Sequence, residues 1–310
     1  MAKYLVTGGA GFIGCNLVKA LLEKNEQVRV LDNFSTGRRE NLTPYQKDIE
    51  LIEGDIRSYH TTVKAMKGVD FVLHQAALPS VPRSIYDPIT SNEVNINGTL
   101  NLLHAAVEAG VKRFVYASSS SVYGDNPISP KHEELTPNPK SPYAVTKLAG
   151  EHYCKVFHQI YGLETVSLRY FNVFGPRQNP DSQYSAVIPK FLKLILNNQS
   201  PTIYGDGTQS RDFTYVDNNV EANLLACTAE NVAGKVYNIA CGTNFTLLEL
   251  VQNLNEILGT NIQSLHAERR SGDVLHSLAD IQKAKKELNY QVKTSFKQGL
   301  ALLVQNFEKE

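Results

Sequence analysis

The 310-residue sequence carries no excess of either charge, with 31 Lys and Arg against 31 Asp and Glu. Nucleic-acid binders usually need a strong basic excess and disordered chains a large net charge, so the balance argues against both. No apolar run reaches the ~18–20 residues of a membrane span, so no membrane partner is expected. The opening Met1-Ala2-Lys3-Tyr4-Leu5-Val6-Thr7 enters a strand-like run at once, without the apolar stretch and cleavage site of a signal peptide. The few cysteines, Cys15, Cys154, Cys227 and Cys241, show no CxxC spacing, which argues against a zinc knuckle or a disulfide framework. There is no HExxH, and His74, His152 and His158 read as core or surface residues, so no metal is expected. A GxSxG nucleophile elbow is also missing, as is any repeat of 20–50 residues. These absences leave a cytoplasmic, reduced, soluble globular protein as the expectation.

Short apolar runs alternate with amphipathic stretches. Strands are expected at Tyr4–Thr7, Val28–Leu31, Glu50–Ile52, Phe71–His74, Phe114–Ser118 and Thr165–Arg169, with helices such as Phe12–Glu23 and Leu100–Ala109 between them. Strands separated by helices imply βαβ units and an α/β, doubly wound parallel sheet of the Rossmann type. From Asn179 the rhythm loosens, with turn signals at Asn179-Pro180-Asp181-Ser182 and Gly205-Asp206-Gly207. We therefore expect a dinucleotide-type domain over 1–178 and a smaller mixed region over 179–310, with some chain crossing between them. A last helix over Thr294–Phe307 would dock Phe296, Leu300, Leu303, Val304 and Phe307 on one face.

Thr7-Gly8-Gly9-Ala10-Gly11-Phe12-Ile13-Gly14 follows a strand and opens a helix. Glycines at 8, 11 and 14 allow a tight turn and a close approach to a pyrophosphate, which the helix N-terminus then stabilises. Asp32 ends the next strand, where a carboxylate accepts from an adenosine ribose and repels a 2′-phosphate, favouring NAD over NADP. Arg38 and Arg39 lie close enough in sequence to receive such a phosphate, so the alternative stays open. Asp55-Ile56 after the third strand is a candidate for the adenine edge.

Tyr143-Ala144-Val145-Thr146-Lys147 begins a helix after a proline-rich loop, placing Tyr143 and Lys147 on one face. A nearby ammonium favours the phenolate and lowers a tyrosine from its usual ~10 towards the range of a general base. Ala117-Ser118-Ser119-Ser120-Ser121-Val122-Tyr123-Gly124 stands at a strand's C-terminal end, where open α/β sheets place their chemistry.

With TGGAGFIG, Asp32, Asp55-Ile56, His74-Gln75-Ala76-Ala77, SSSSVYG, YAVTK and Arg169-Tyr170-Phe171-Asn172-Val173-Phe174-Gly175-Pro176, the chain resembles the extended short-chain dehydrogenases/reductases, specifically the NAD-dependent nucleotide-sugar epimerase/dehydratase family, from residue 3 to about residue 300. The resemblance implies Tyr143 as base, Lys147 on the nicotinamide ribose, and Ser119 as hydroxyl partner, with Ser118 and Ser120 as alternatives. It places NAD against Gly8, Gly11, Phe12, Ile13, Gly14, Asp32, Asn33, Ser35, Thr36, Gly37, Asp55, Ile56, Gln75, Ala76, Ala77, Tyr143, Lys147 and Phe171. Similar dehydratases carry Thr-Asp-Glu where this chain has Ser119-Ser120-Ser121, and similar decarboxylases keep a Glu at position 121. Both carboxylates are missing here, which leaves oxidation at C4 followed by return of the hydride. The UDP-binding pattern matches at Asn172, Ala186-Val187-Ile188, Thr202-Ile203-Tyr204, Arg211, Arg270 and Asp273. The small Ser277 leaves room for an N-acetyl group, and Ser80, Ser119, Ser121, Tyr143, Asn172 and Gln178 would read the sugar. The expected activity is therefore UDP-N-acetylglucosamine 4-epimerase, with UDP-glucose or an N-acetylhexosaminuronate as the open alternatives. Some relatives of this fold bind NAD as sensors without turnover, although they commonly lose the tyrosine or lysine that this chain keeps. The family also implies a homodimer through helices near Glu93–Ala109 and Tyr143–Tyr161, with Leu102, Ala106, Ala149, Tyr153, Val156 and Phe157 as candidate apolar surface.

Overall fold

A computed structural model describes residues 1–179, 187–268 and 275–307. The dinucleotide-type segment runs β1 (Lys3–Thr7), α1 (Phe12–Glu23), β2 (Gln27–Asp32), β3 (Ile49–Glu53), α2 (Tyr59–Met66), β4 (Phe71–His74), α3 (Val81–Tyr86), α4 (Pro88–Asn92), α5 (Gly98–Glu108), β5 (Arg113–Ser119), α6 (Pro142–Tyr161) and β6 (Glu164–Tyr170). The six expected strands are all present, each within one residue of its expected ends. A turn of π-helix, Glu93–Asn97, links α4 to α5.

The remaining chain adds β7 (Val173–Phe174), α7 (Val187–Leu196), β8 (Thr202–Tyr204), β9 (Ser210–Arg211), β10 (Thr214–Tyr215) and α8 (Val216–Thr228). It continues with β11 (Lys235–Ile239), β12 (Phe245–Thr246), α9 (Leu247–Leu258), β13 (Leu265–Ala267), β14 (His276–Ser277), α10 (Gln282–Glu287) and α11 (Phe296–Phe307). Most of these strands are two or three residues long and form three small sheets, β10-β7, β12-β9-β14 and β13-β8.

The main sheet is parallel throughout, in the order β11-β6-β5-β4-β1-β2-β3. Its alternating side chains divide between two cores, because successive residues of a strand point to opposite faces. Val6, Val30 and Val115 enter one core, whereas Leu5, Leu31 and Phe114 enter the other. The chain order reverses at β1, between β2 and β4, so a crevice opens where neighbouring crossovers leave on opposite faces. The seventh strand, β11, was not foreseen; it pairs with β6 from Lys235↔Val166 to Ile239↔Tyr170.

Helix α6 carries the YAVTK run. Ser141 caps it by accepting from Ala144 N (3.2 Å), Pro142 sits in its first turn, and Gly162 ends it in a left-handed conformation. At Gly150 a Cβ would lie 2.2 Å from the Tyr116 hydroxyl, so this glycine lets α6 press directly on β5.

One expectation needs correction here. Leu102, Ala106 and Phe157 are buried in the chain's own core, because the apolar faces of α5 and α6 pack against α2 and the sheet. Ala149 and Tyr153 are half-buried, and Val156 is exposed. In α11, Phe296, Leu300, Leu303 and Val304 are buried as the spacing predicts. No helix among the described residues is long and apolar enough to cross a membrane.

Candidate active site

At the C-terminal ends of β1, β2, β4 and β5 lies a cleft of about 590 Å³. Every residue expected to meet NAD lines it, with the exception of Phe171. Phe171 is fully buried, so its side chain belongs to the core. The phosphate loop is drawn tight: Gly11 N donates to Gly8 O (3.0 Å), and a Cβ at Gly14 would lie 2.1 Å from the same oxygen. Helix α1 begins with no side-chain cap and no acid in its first turn, which leaves its N–H groups and partial positive charge for an anion.

Asp32 is buried, and its oxygens accept from Ala10 N (2.9 Å) and Phe34 N (2.8 Å). Burial raises its pKa, while hydrogen bonds from the Phe34, Ala10 and Asn33 backbone favour the carboxylate. A carboxylate offers about four lone-pair sites, so acceptor capacity remains for a ribose. Arg39 pairs with Glu53 (2.7 Å) and Arg38 with Glu40 (3.5 Å), and neither lines the cleft. The residues present therefore fit a dinucleotide without a 2′-phosphate. Asp55 takes Arg57 (2.8 Å) and Asn33 Nδ2 (2.9 Å), which holds its carboxyl below the ordinary range.

Tyr143 and Lys147 project into the cleft from the first turns of α6, and Ser119, at the end of β5, stands close enough to the Tyr143 side chain to favour its phenolate. Lys147 Nζ donates to Ala117 O (2.7 Å) and stands 5.8 Å from the centre of the Tyr143 ring. Burial pushes Tyr143 up to about 12, against the opposing Ser119 hydrogen bond. Burial likewise pulls Lys147 down to about 8, with the Glu151 charge opposing. This corrects the expected depression of Tyr143. Desolvation is the larger influence on the phenol, with the Lys147 ammonium 5.8 Å from the ring centre.

Several further residues support this arrangement. Asn95, in the π-helical turn, accepts from Leu78 N (2.7 Å) and donates to Leu78 O (3.1 Å) and Thr146 Oγ1 (3.1 Å). Thr146 donates to Tyr143 O (2.8 Å), and Ser84 Oγ accepts from Tyr143 N (3.0 Å). His74 is a buried core residue bridging Thr7 Oγ1 (2.8 Å) and Thr99 Oγ1 (2.9 Å), while Thr99 donates to Asn95 O (2.7 Å). A continuous polar chain thus links the strand before the phosphate loop to the helix of Tyr143. Thr146 and His74 lie inside motifs named above, whereas Asn95, Ser84 and Thr99 carry no motif signal.

Residues 4–240 match the family model described as "NAD dependent epimerase/dehydratase family". The chain belongs to that family. Among solved structures it is similar to a UDP-N-acetylglucosamine 4-epimerase of Methanobrevibacter ruminantium M1 in complex with UDP-N-acetylmuramic acid, with 41 % identity, TM-score 0.95, and 99 % and 98 % of the two chains covered. It is also similar to the UDP-glucose 4-epimerase of Thermus thermophilus complexed with NAD, with 38 % identity, TM-score 0.90, and 99 % of each chain covered. A putative UDP-glucose 4-epimerase of Methanocaldococcus jannaschii is 37 % identical over 302 residues, covering 97 % of this chain and 96 % of the relative. NAD is accordingly the cofactor of this family member, as the cleft's residues led us to expect.

The residues expected to meet the nucleotide-sugar are more scattered in this NAD-dependent enzyme. Ser80 and Gln178 line the cleft beside Tyr143. Asn172, Thr202, Tyr204, Arg211 and Ser277 are half-buried and lie outside its lining, as do Ser119, Ser121 and Val187. Arg211 and Ser277 face each other in the β9–β14 pair. Ile188 and Ile203 are buried in the core, so their side chains are not available to a ligand, a correction that follows from the apolar faces of α7 and β8. Ala186, Arg270 and Asp273 lie outside the described residues.

Proposed function

We propose that the protein is a UDP-N-acetylglucosamine 4-epimerase, interconverting the gluco and galacto forms through a 4-keto sugar. The sugar end of the cleft carries this reading. The chain has serines at 119–121 where elimination or decarboxylation would need carboxylates, and in the cleft lining Gln178 Oε1 is buried without a partner among the described residues. A buried polar atom without a partner costs about 1–3 kcal/mol, so this one favours a ligand that brings its own donor, as an acetamido group does. The small Ser277 is in keeping with the added bulk.

In this reading residues 1–178 supply the cofactor site and the reacting groups, and 179–310 mainly hold the nucleotide-sugar. NAD, held by the phosphate loop, Asp32 and Lys147, would supply reversible hydride transfer at C4 of the sugar. Tyr143 takes the proton of the 4-hydroxyl and afterwards gives it back to the new alkoxide, with Ser119 bonded to the same oxygen. Lys147, anchored to Ala117 O, holds a positive charge beside the phenol. Exposed Val145, Val156, Ile160 and Tyr161 on α6 support a homodimer, which light scattering tests; a monomeric mass at micromolar concentration sinks that part.

Incubation with UDP-glucose, UDP-N-acetylglucosamine and the uronate of each, with products read by NMR, tests the substrate. The N-acetylated neutral pair is expected to interconvert fastest. A much faster UDP-glucose reaction would overturn the assignment in favour of a UDP-glucose 4-epimerase, the activity named for two of the similar proteins.

A further inference from the structure

Behind the cleft lies a buried ion pair that the catalytic roles leave unused. The side chains of Glu151 and Arg169 are both 4 % exposed. Arg169 Nε donates to Glu151 Oε1 (2.9 Å) and Nη2 to Oε2 (2.7 Å), the paired geometry of a guanidinium and a carboxylate. Glu151 Oε1 also accepts from Ser118 Oγ (2.5 Å). On its other side Arg169 lies over the Tyr123 ring, 4.7 Å from its centre, and Tyr123 donates to Asn238 Oδ1 (2.7 Å).

The placement of this pair relates it to the chemistry. Glu151 is one turn after Lys147 on the same face of α6, and Ser118 lines the cleft immediately before Ser119. One carboxylate therefore ties together β5, β6 and the helix bearing Tyr143 and Lys147. Buried ion pairs are often no more stabilising than apolar residues of the same volume, so stability alone is a weak reason for this one.

We infer that Glu151 is a positioning residue for the reaction: held by Arg169, it fixes the Ser118–Ser119 strand end against α6 and keeps a negative charge beneath Lys147. This deepens the proposed function, since it matters only if Ser119, Tyr143 and Lys147 are the reacting groups. The groups facing Lys147 and Glu151 support it. From α6 these are Tyr143 and Cys154, from β5 Tyr116, from β4 His74, from β6 Arg169, and from the turn after β5 Tyr123. Burial keeps His74 neutral, at about 3, and pushes Cys154 up to about 12 and Tyr116 well above its ordinary value. The Glu151 charge opposes the loss of the Lys147 proton.

The test compares Glu151→Gln, Glu151→Gln/Arg169→Met and Ser118→Ala with the parent and with Tyr143→Phe. In Glu151→Gln, kcat at pH 8 should fall about tenfold while KM stays within about twofold. The alkaline limb of the kcat profile, where Lys147 loses its proton, should move about one pH unit lower, as expected for loss of a charge at this range. The double variant, which leaves no orphaned guanidinium, should show the same displaced limb and is read if the single variant fails to fold. Ser118→Ala keeps the ion pair, so it should lower kcat a few-fold through Ser119 with the limb unmoved; it decides the matter if neither Glu151 variant folds. An unmoved limb in a folded Glu151 variant, or an unchanged kcat in Ser118→Ala, overturns the inference. If Tyr143→Phe retains full turnover, the proposed function itself fails, whatever the Glu151 variants do.

Discussion

At the cofactor end of the cleft the buried side chains are held by hydrogen bonds, whereas at the sugar end a buried side-chain oxygen stands unpaired among the described residues. Asp32 is held by two backbone donors, Asn41 donates to Ala10 O (2.8 Å), and His74 is bonded through both ring nitrogens. Gln178 Oε1 has no such partner among the described residues, nor does Ser121 Oγ, which lies outside the cleft lining. The first end holds its side chains in place on four strands of one sheet, and the second, in the proposed reading, relies on what binds. Removing a side chain from the scaffold should therefore cost folding, while removing one from the sugar end should cost recognition. Tyr143 lies between the two, placed by the scaffold and, in the proposed reading, used on the substrate.

The largest effect is expected at that junction. Tyr143→Phe removes the proposed proton acceptor but leaves the ring, so turnover should fall about 10²–10⁴-fold. Bound NAD, measured in the filtrate of denatured protein, and Tm should both stay near the parent values. Loss of NAD along with turnover would mean that Tyr143 belongs to the scaffold and that the comparison is drawn in the wrong place.

His74 tests the scaffold directly. Burial, and secondarily the Lys147 charge, holds it neutral down to about 3, against ~6.5 in an unfolded chain. Between those values the unfolded state takes up a proton that the folded state refuses, so stability falls as pH drops through that window. The contribution of His74 between pH 7 and 5 is about 2 kcal/mol. Urea unfolding of the parent and of His74→Gln at both pH values should show the parent losing that much more than the variant. Equal losses would remove His74 from the pH-sensitive part of the scaffold.

The same contrast explains what could be read from the sequence. The phosphate loop, Asp32 and the YAVTK helix are local patterns whose spacing is dictated by one turn or one strand, and the structure places them in one cleft. The supports Asn95 and Ser84 were not legible, because they act through contacts with residues up to 59 positions apart. Strand β11 escaped for a similar reason: Lys235–Ile239 is a short run among turns, and its place beside β6 is decided by tertiary packing. At the sugar end, Ile188 and Ile203 matched a pattern whose side chains are committed to the core. The pattern marked a stretch of backbone there, and the side chains followed the apolar faces of α7 and β8. The candidate dimer residues Leu102, Ala106 and Phe157 failed in the same way, since an apolar helical stripe does not say whether its partner is the chain's own sheet or another copy.

The smallest effect should come from Gln178, and it is the most direct test of an end finished by its ligand. Its Nε2 contact to Val173 O is long (3.4 Å), and its Oε1 has no partner among the described residues. Gln178→Ala therefore removes a buried acceptor that gains nothing in the free protein, and Tm should hold or rise slightly. If the acceptor is used by the acetamido group, kcat/KM for UDP-N-acetylglucosamine should fall about tenfold, with a smaller loss for UDP-glucose, the scale of one hydrogen bond in a discriminating site. A drop in Tm with equal losses on both sugars would place Gln178 with the scaffold. Selective loss at constant Tm would instead separate the two ends of the cleft by experiment, because Gln178 lines the same cleft as Asp32 yet would answer only to the substrate.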